Sequence, residues 1–187
     1  MSSPRLQSLS LAILFAAASL AAAQSAAVDP TLVSRAGAGD AAAQLSVGLA
    51  IEKNDAAPPD YVQAAAWYRR AADQNNAEAQ FRLAALYRDG RGVTRDMAAA
   101  AEWYHKAAEL GNASAQGTLA ILYSMGQGVP HSDVEAYYWF ALAAAAKGPE
   151  QEHYAANRQS MAARITADEL ADAQERVNRW VAAHPRP

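Results

Sequence analysis

Apolar positions along the chain recur every three to four residues, and glycine, asparagine or proline interrupts them at regular intervals. Between 77 and 112 the rhythm is plainest. Ala79, Leu83, Leu86 and Tyr87 fall at i, i+4, i+7 and i+8, which is one face of a helix. Gly90-Arg91-Gly92 stops that helix, because glycine enters the left-handed conformation of a helix C-terminus at little cost. Thr94 or Asp96 can cap the next helix. Ala100, Trp103, Tyr104, Ala107 and Ala108 then make a second 3.6-period stripe, closed by Gly111-Asn112. The spacing predicts two helices in about 36 residues.

The same pair returns. Ala43-Gln44 recurs as Ala79-Gln80 and Ala115-Gln116, and Trp67-Tyr68 as Trp103-Tyr104 and Trp139-Phe140. Ala71-Ala72 becomes Ala107-Ala108 and Ala143-Ala144, so three anchors keep one period through three copies. The copies divide as 40–76, 77–112 and 113–148. The first is atypical, with Asn54, Ala56 and Pro58-Pro59-Asp60 where the others carry paired glycines. Beyond Gly148 two more helices are expected over 149–184, one from about Glu150 to Ile165. The other opens on the capping box Thr166-Ala167-Asp168-Glu169 and carries Leu170, Ala173, Val177, Trp180 and Val181. This C-terminal pair reads as a cap, where Tyr137 and Tyr138 find either packing partners or an outer aromatic patch. A helix pair cannot bury its apolar face alone, so stacking supplies the core. The fold class is therefore all-α: a short α/α superhelical solenoid of about four antiparallel helix pairs.

Composition sharpens this picture. Of the 187 residues 50 are alanine, the strongest helix former and a small side chain suited to close helix crossings. One Trp and one Tyr or Phe per copy fill the remaining volume, so truncating Trp67, Trp103 or Trp139 to alanine is expected to cost about 3–5 kcal/mol. The formal charge of -3 excludes the basic footprint of a nucleic-acid binder. The absence of cysteine excludes disulfide staples, thiolate metal sites and a cysteine nucleophile. Residues 1–23 carry one charge, Arg5, then a largely apolar stretch from Leu9 to the small-residue site Ala21-Ala22-Ala23. They read as a signal peptide cut near Ala23, followed by a flexible segment over 24–39. The expected location is periplasmic or secreted, with no membrane-spanning helix after cleavage.

The run A-x-A-Q…L-Y-x-x-G-x-G-V…D…A…W-Y-x-x-A-A…G resembles the Sel-one-like repeat, a relative of the tetratricopeptide repeat. Residues 77–112 match it nearly throughout, 113–148 match with Phe140 in place of Tyr, and 40–76 match in both helices but not in the loop. The resemblance implies first helices lining a concave surface, a role as adaptor, scaffold or regulator holding a protein or peptide, and no enzymatic activity. A cysteine-rich branch of the family suggests an alternative, a binder or hydrolase of cell-wall material or β-lactams. That branch staples each repeat with a disulfide, which this chain cannot form. No serine here sits in S-x-x-K or G-x-S-x-G.

No catalytic, cofactor or metal residue is expected. His105, His131, His153 and His184 are scattered, H-E-x-x-H is missing, and a single E-x-x-H at Glu150 and His153 is half of a di-iron pattern. The Gly-x-Gly turns follow helices and lack the lysine and hydroxyl of a phosphate loop. Glu102 and Lys106 are spaced for a surface ion pair. The candidate partner-binding residues lie on the first helices: Glu78, Phe81, Arg82 and Arg88 in the second copy, and Thr118, Ile121 and Ser124 in the third. Arginine and aromatic side chains dominate interface energetics. The alternative for this set is that Phe81 and Leu45 pack between neighbouring helices and the arginines are only solvated.

Overall fold

The computed structural model describes residues 28–53, 58–146 and 148–185, and the signal-peptide expectation for 1–23 lies outside them. So do Asn54 and Ala56 of the atypical loop. The described residues are helical, with no strand. In chain order the helices are α1 (Pro30–Gly37), α2 (Ala41–Glu52), α3 (Tyr61–Ala72), α4 (Ala77–Asp89), α5 (Met97–Glu109), α6 (Ala113–Met125), α7 (Asp133–Ala144), α8 (Gln151–Ala162) and α9 (Ala167–Ala183). Each helix from α1 to α7 packs on the next, which makes the structure a short α/α solenoid.

The helix starts obey the 36-residue register. Asp40, Asn76 and Asn112 cap the first helices, each accepting from the backbone N–H three residues on. Asp60, Asp96 and Ser132 do the same for the second helices. These side chains satisfy donors that a helix start leaves without an intrahelical partner. A third polar device is buried. Gln44, Gln80 and Gln116 donate Nε2–H to the carbonyls of Ala36, Ala72 and Ala108 at 3.1, 3.0 and 3.0 Å, tying each first helix to the end of the helix before it.

Over residues 28–39 that last contact corrects the expectation of a flexible 24–39 segment; residues 24–27 lie outside the described residues. Residues 30–37 form α1, capped by Asp29 and started by Pro30, whose missing N–H costs nothing at the first helical position. Ala36 stands where Ala72 and Ala108 stand, so α1 plays the part of a preceding second helix. The turn after it is also in register: Gly39, Asn75 and Gly111 all have positive φ, at 101°, 61° and 82°.

The paired glycines do two different jobs. Gly90 and Gly126 close α4 and α6 in the left-handed conformation. Gly92 and Gly128 also have positive φ, and each presses on backbone: a Cβ on Gly92 would overlap the carbonyl of Tyr61, and one on Gly128 that of Met97. The second glycine thus lets each turn rest on the first turn of the preceding second helix.

The last pair departs from the regular hairpin. α8 and α9 both pack on α7 and have little contact with each other. α9 is opened by the expected capping box, with Thr166 and Glu169 serving each other's backbone donors. Its Arg176 forms two hydrogen bonds with Glu135, at 2.7 and 2.9 Å, and lies 4.3 Å from the centre of the Tyr138 ring. Tyr137 and Tyr138 are buried, so the packing alternative holds for them and the outer aromatic patch does not.

Candidate protein-binding face

The first helices α2, α4 and α6 turn one flank into the core and leave a second flank half-covered. On α4, Ala79, Leu83, Ala84 and Leu86 are buried, while Glu78, Phe81, Arg82, Ala85 and Arg88 are intermediate. Register and hydrogen bonding have already fixed this helix, so these side chains stand on a rigid base.

Phe81 is the apolar anchor of that flank, but it faces inward as much as outward. Its ring centre is 5.6 Å from that of Tyr104 on α5, and it packs on the core, as does Leu45 one repeat earlier. The packing alternative describes Phe81 and Leu45. The third copy carries Gly117 at the same position, and there Tyr154 of α8 fills the space, so close that a Cβ on Gly117 would collide with its ring. The chain's own cap therefore occupies part of the face that the third repeat would offer.

The arginines are more than solvated. Arg82 donates to Glu78 at 2.7 Å, and Glu78 also accepts from Asn112 at 3.1 Å. Arg88 binds Asp89 through Nε at 2.7 Å, and this hydrogen bond holds the Asp89 carboxyl below its ordinary pKa. Arg91 joins Asp89 and the Tyr61 hydroxyl. On the third copy, Thr118 and Ser124 turn their hydroxyls back to the carbonyls of Ser114 and Ile121, while the Ile121 side chain is exposed.

One register position changes chemistry from copy to copy. Glu52, Arg88 and Ser124 succeed one another at one position, as Tyr68, Tyr104 and Phe140 do at another. In the first copy the Tyr68 hydroxyl donates to Glu52 at 2.7 Å, and burial together with that carboxylate raises its pKa. In the second, Arg88 replaces the acceptor. The buried Tyr104 hydroxyl has no partner among the described residues, and burial pushes it up to about 12. Sequence reasoning missed this succession, although the 36-residue spacing contains it.

Among the described residues, no group of three or more His, Asp or Glu side chains is placed to hold a metal ion, and no helix is long and apolar enough to cross a membrane. The Glu102–Lys106 pair expected from spacing is absent. Lys106 instead lies 4.0 Å from the centre of the Trp103 ring, where a desolvated π-face competes well with a solvated carboxylate.

Comparison with known proteins decides the family. Residues 41–76, 77–112 and 113–147 each match the Sel1 repeat, together more than half of the chain. The chain belongs to the Sel1 repeat family. Among solved structures it is similar to a protective antigen of uropathogenic Escherichia coli displaying an SLR fold, with a TM-score of 0.70 and 29% identity over 81% of this chain. The chain spans only 32% of that antigen's length. A Sel1 repeat protein from Oxalobacter formigenes matches with a TM-score of 0.62 and 32% identity, over 70% of this chain and 96% of that one. Cysteine rich protein B of Helicobacter pylori, at 18% identity and a TM-score of 0.55 over 66% of this chain and 91% of its own, shares the fold. No curated protein matches. Sel1 repeat proteins are generally non-catalytic helical repeat scaffolds and protein-interaction modules.

Proposed function

We propose that this Sel1 repeat chain is a non-enzymatic adaptor, scaffold or regulator of the cell envelope, exported by residues 1–23 and binding a protein or peptide on the first-helix face. Protein partners follow from the family. The export step is read from the apolar N-terminal stretch and its Ala21-Ala22-Ala23 site. One observation carries the choice of face: Arg82 and Arg88 are half-exposed yet already oriented by Glu78 and Asp89. Side chains ordered before binding lose less rotamer freedom on association, which favours affinity.

The packing of Phe81 guides the test. Changing Phe81 would damage the core, so the informative variant is Arg82→Ala with Arg88→Ala. A partner retained from envelope extract by residues 24–187 is expected to be lost by this variant, with an unchanged circular dichroism spectrum. Equal retention would place binding elsewhere. Intact mass of the mature protein from an envelope fraction, expected to begin at Gln24, tests export separately.

A further inference from the structure

A cavity of about 330 Å³ opens on the other side of the molecule, between α5, α6 and the glycine turn before α7. Ala98, Leu119 and Val129 line its apolar part, and Glu102, His105, Lys106 and Tyr123 its polar part. Thirty-six residues earlier the same place is filled from within. Arg69 lies 5.7 Å from the centre of the Tyr87 ring and 5.0 Å from that of Trp103, and donates a hydrogen bond to the Tyr87 hydroxyl.

One substitution opens the later copy, and two more change its rim. His105 replaces Arg69 and stops at an edge-on contact with Trp139, 5.4 Å between ring centres. The Tyr123 hydroxyl is left without a hydrogen-bond partner among the described residues. Ala98 replaces Val62, removing two methyl groups. Glu102 replaces Ala66, which adds a carboxylate at the rim. That carboxylate has no ion pair among the described residues, and Lys106, four residues on, lies on Trp103 instead.

We propose that this cavity receives an arginine side chain from a partner protein, which takes the place Arg69 takes in the first junction. The aliphatic stem would lie along Ala98, Leu119 and Val129. The planar guanidinium would donate to the Tyr123 hydroxyl and the Glu102 carboxylate beside the His105 and Tyr123 rings, a setting that suits guanidinium better than ammonium. Lys106 is the neighbouring fixed cation, and its engagement with Trp103 keeps its charge turned to that ring. The site lies apart from the first-helix face and stands or falls independently of it.

The test is nuclear magnetic resonance titration of residues 24–187 with an end-blocked Gly-Arg-Gly peptide. Saturable shifts are expected at Leu119, Tyr123 and Val129, with an affinity in the millimolar range that a single side chain provides. The lysine peptide should bind more weakly and the glutamate peptide not at all. His105→Arg, which rebuilds the Arg69 arrangement, should abolish the shifts while leaving the rest of the spectrum in place. Glu102→Gln should weaken binding about tenfold, the loss of one charge-assisted contact. If His105→Arg disturbs the fold, Ala98→Leu fills the cavity instead and should abolish the shifts equally. Absence of saturable shifts, equal binding of the glutamate peptide, or unaltered binding to both cavity-filling variants would overturn the proposal.

Discussion

Trp67 and Trp139 occupy the same position in their repeats, yet their surroundings differ. Trp139 is 2% exposed, in contact with Tyr138 and His105 on α7, a helix on which both α8 and α9 pack. Trp67 is half-buried. It lines an open cleft of about 290 Å³ between α1, α2 and α3, and Arg70 lies 4.6 Å from its ring centre. α1 has only 8 residues and leaves part of the first pair uncovered, whereas the C-terminal helices seal the last one. The weight of a repeat residue is thus set by what the neighbouring pair places on it, which the motif does not encode.

The most direct way to break this comparison is to truncate both. Trp139→Ala should cost about 3–5 kcal/mol in denaturant unfolding, the range for a fully buried aromatic. Trp67→Ala should cost about 1–2 kcal/mol, since much of its surface already meets water or the exposed Arg70 side chain. These burials replace the uniform cost expected from the sequence with a graded one. Equal losses would mean that the cleft beside Trp67 is closed in solution.

A glycine pair sharpens the contrast between junctions and ends. Gly128→Ala introduces a Cβ into the Met97 carbonyl at a φ of 72°, and should cost about 3 kcal/mol through clash and strain combined. Gly37→Ala at the end of α1 meets no heavy atom within 4 Å and should stabilise by about 0.5 kcal/mol. Differential scanning calorimetry of the two variants reads both signs.

Two smaller effects concern the seal itself. Arg176→Ala and Glu135→Ala, analysed as a double-mutant cycle, should reveal a coupling of about 0.5–1 kcal/mol that fades with salt, as partly exposed ion pairs do. Thr166→Ala removes the capping box and should cost about 1 kcal/mol. Glu169 is held below its ordinary pKa of 4.5 by hydrogen bonds from the Thr166 backbone and hydroxyl. A depressed carboxylate stabilises fully above the unfolded pKa and loses that contribution as pH falls through the folded one. Acid titration should therefore narrow the gap between wild type and Thr166→Ala as pH falls below the ordinary value of 4.5.

Much of the architecture was legible because it is local and periodic. Asp96 as a cap, Gly90 and Gly126 as helix stops and the Thr166–Glu169 box all act within a few residues of themselves. α1 was harder to see: it lacks the Trp-Tyr anchor, and only Ala36 and the Gly39-Asp40 turn betray its register with Ala72 and Asn75-Asn76. The destination of α9 could not be read at all, because the amphipathic pattern of a terminal helix says that one face is covered but not by which neighbour. The candidate face was legible as a set of positions. Its geometry was not: the inward lean of Phe81, the capture of the Gly117 site by Tyr154 and the lone Tyr104 hydroxyl arise from contacts between helices.

The central claim, a partner on the first-helix face, is tested most directly by crosslinking in place. A photoreactive amino acid at Ala85, between Arg82 and Arg88, is compared with one at the exposed Gln174 of α9 in the cell envelope. The account predicts one discrete protein adduct from position 85, lost on adding Arg82→Ala and Arg88→Ala, and none from 174. An adduct from 174 alone, or one from 85 that survives both substitutions, would contradict it.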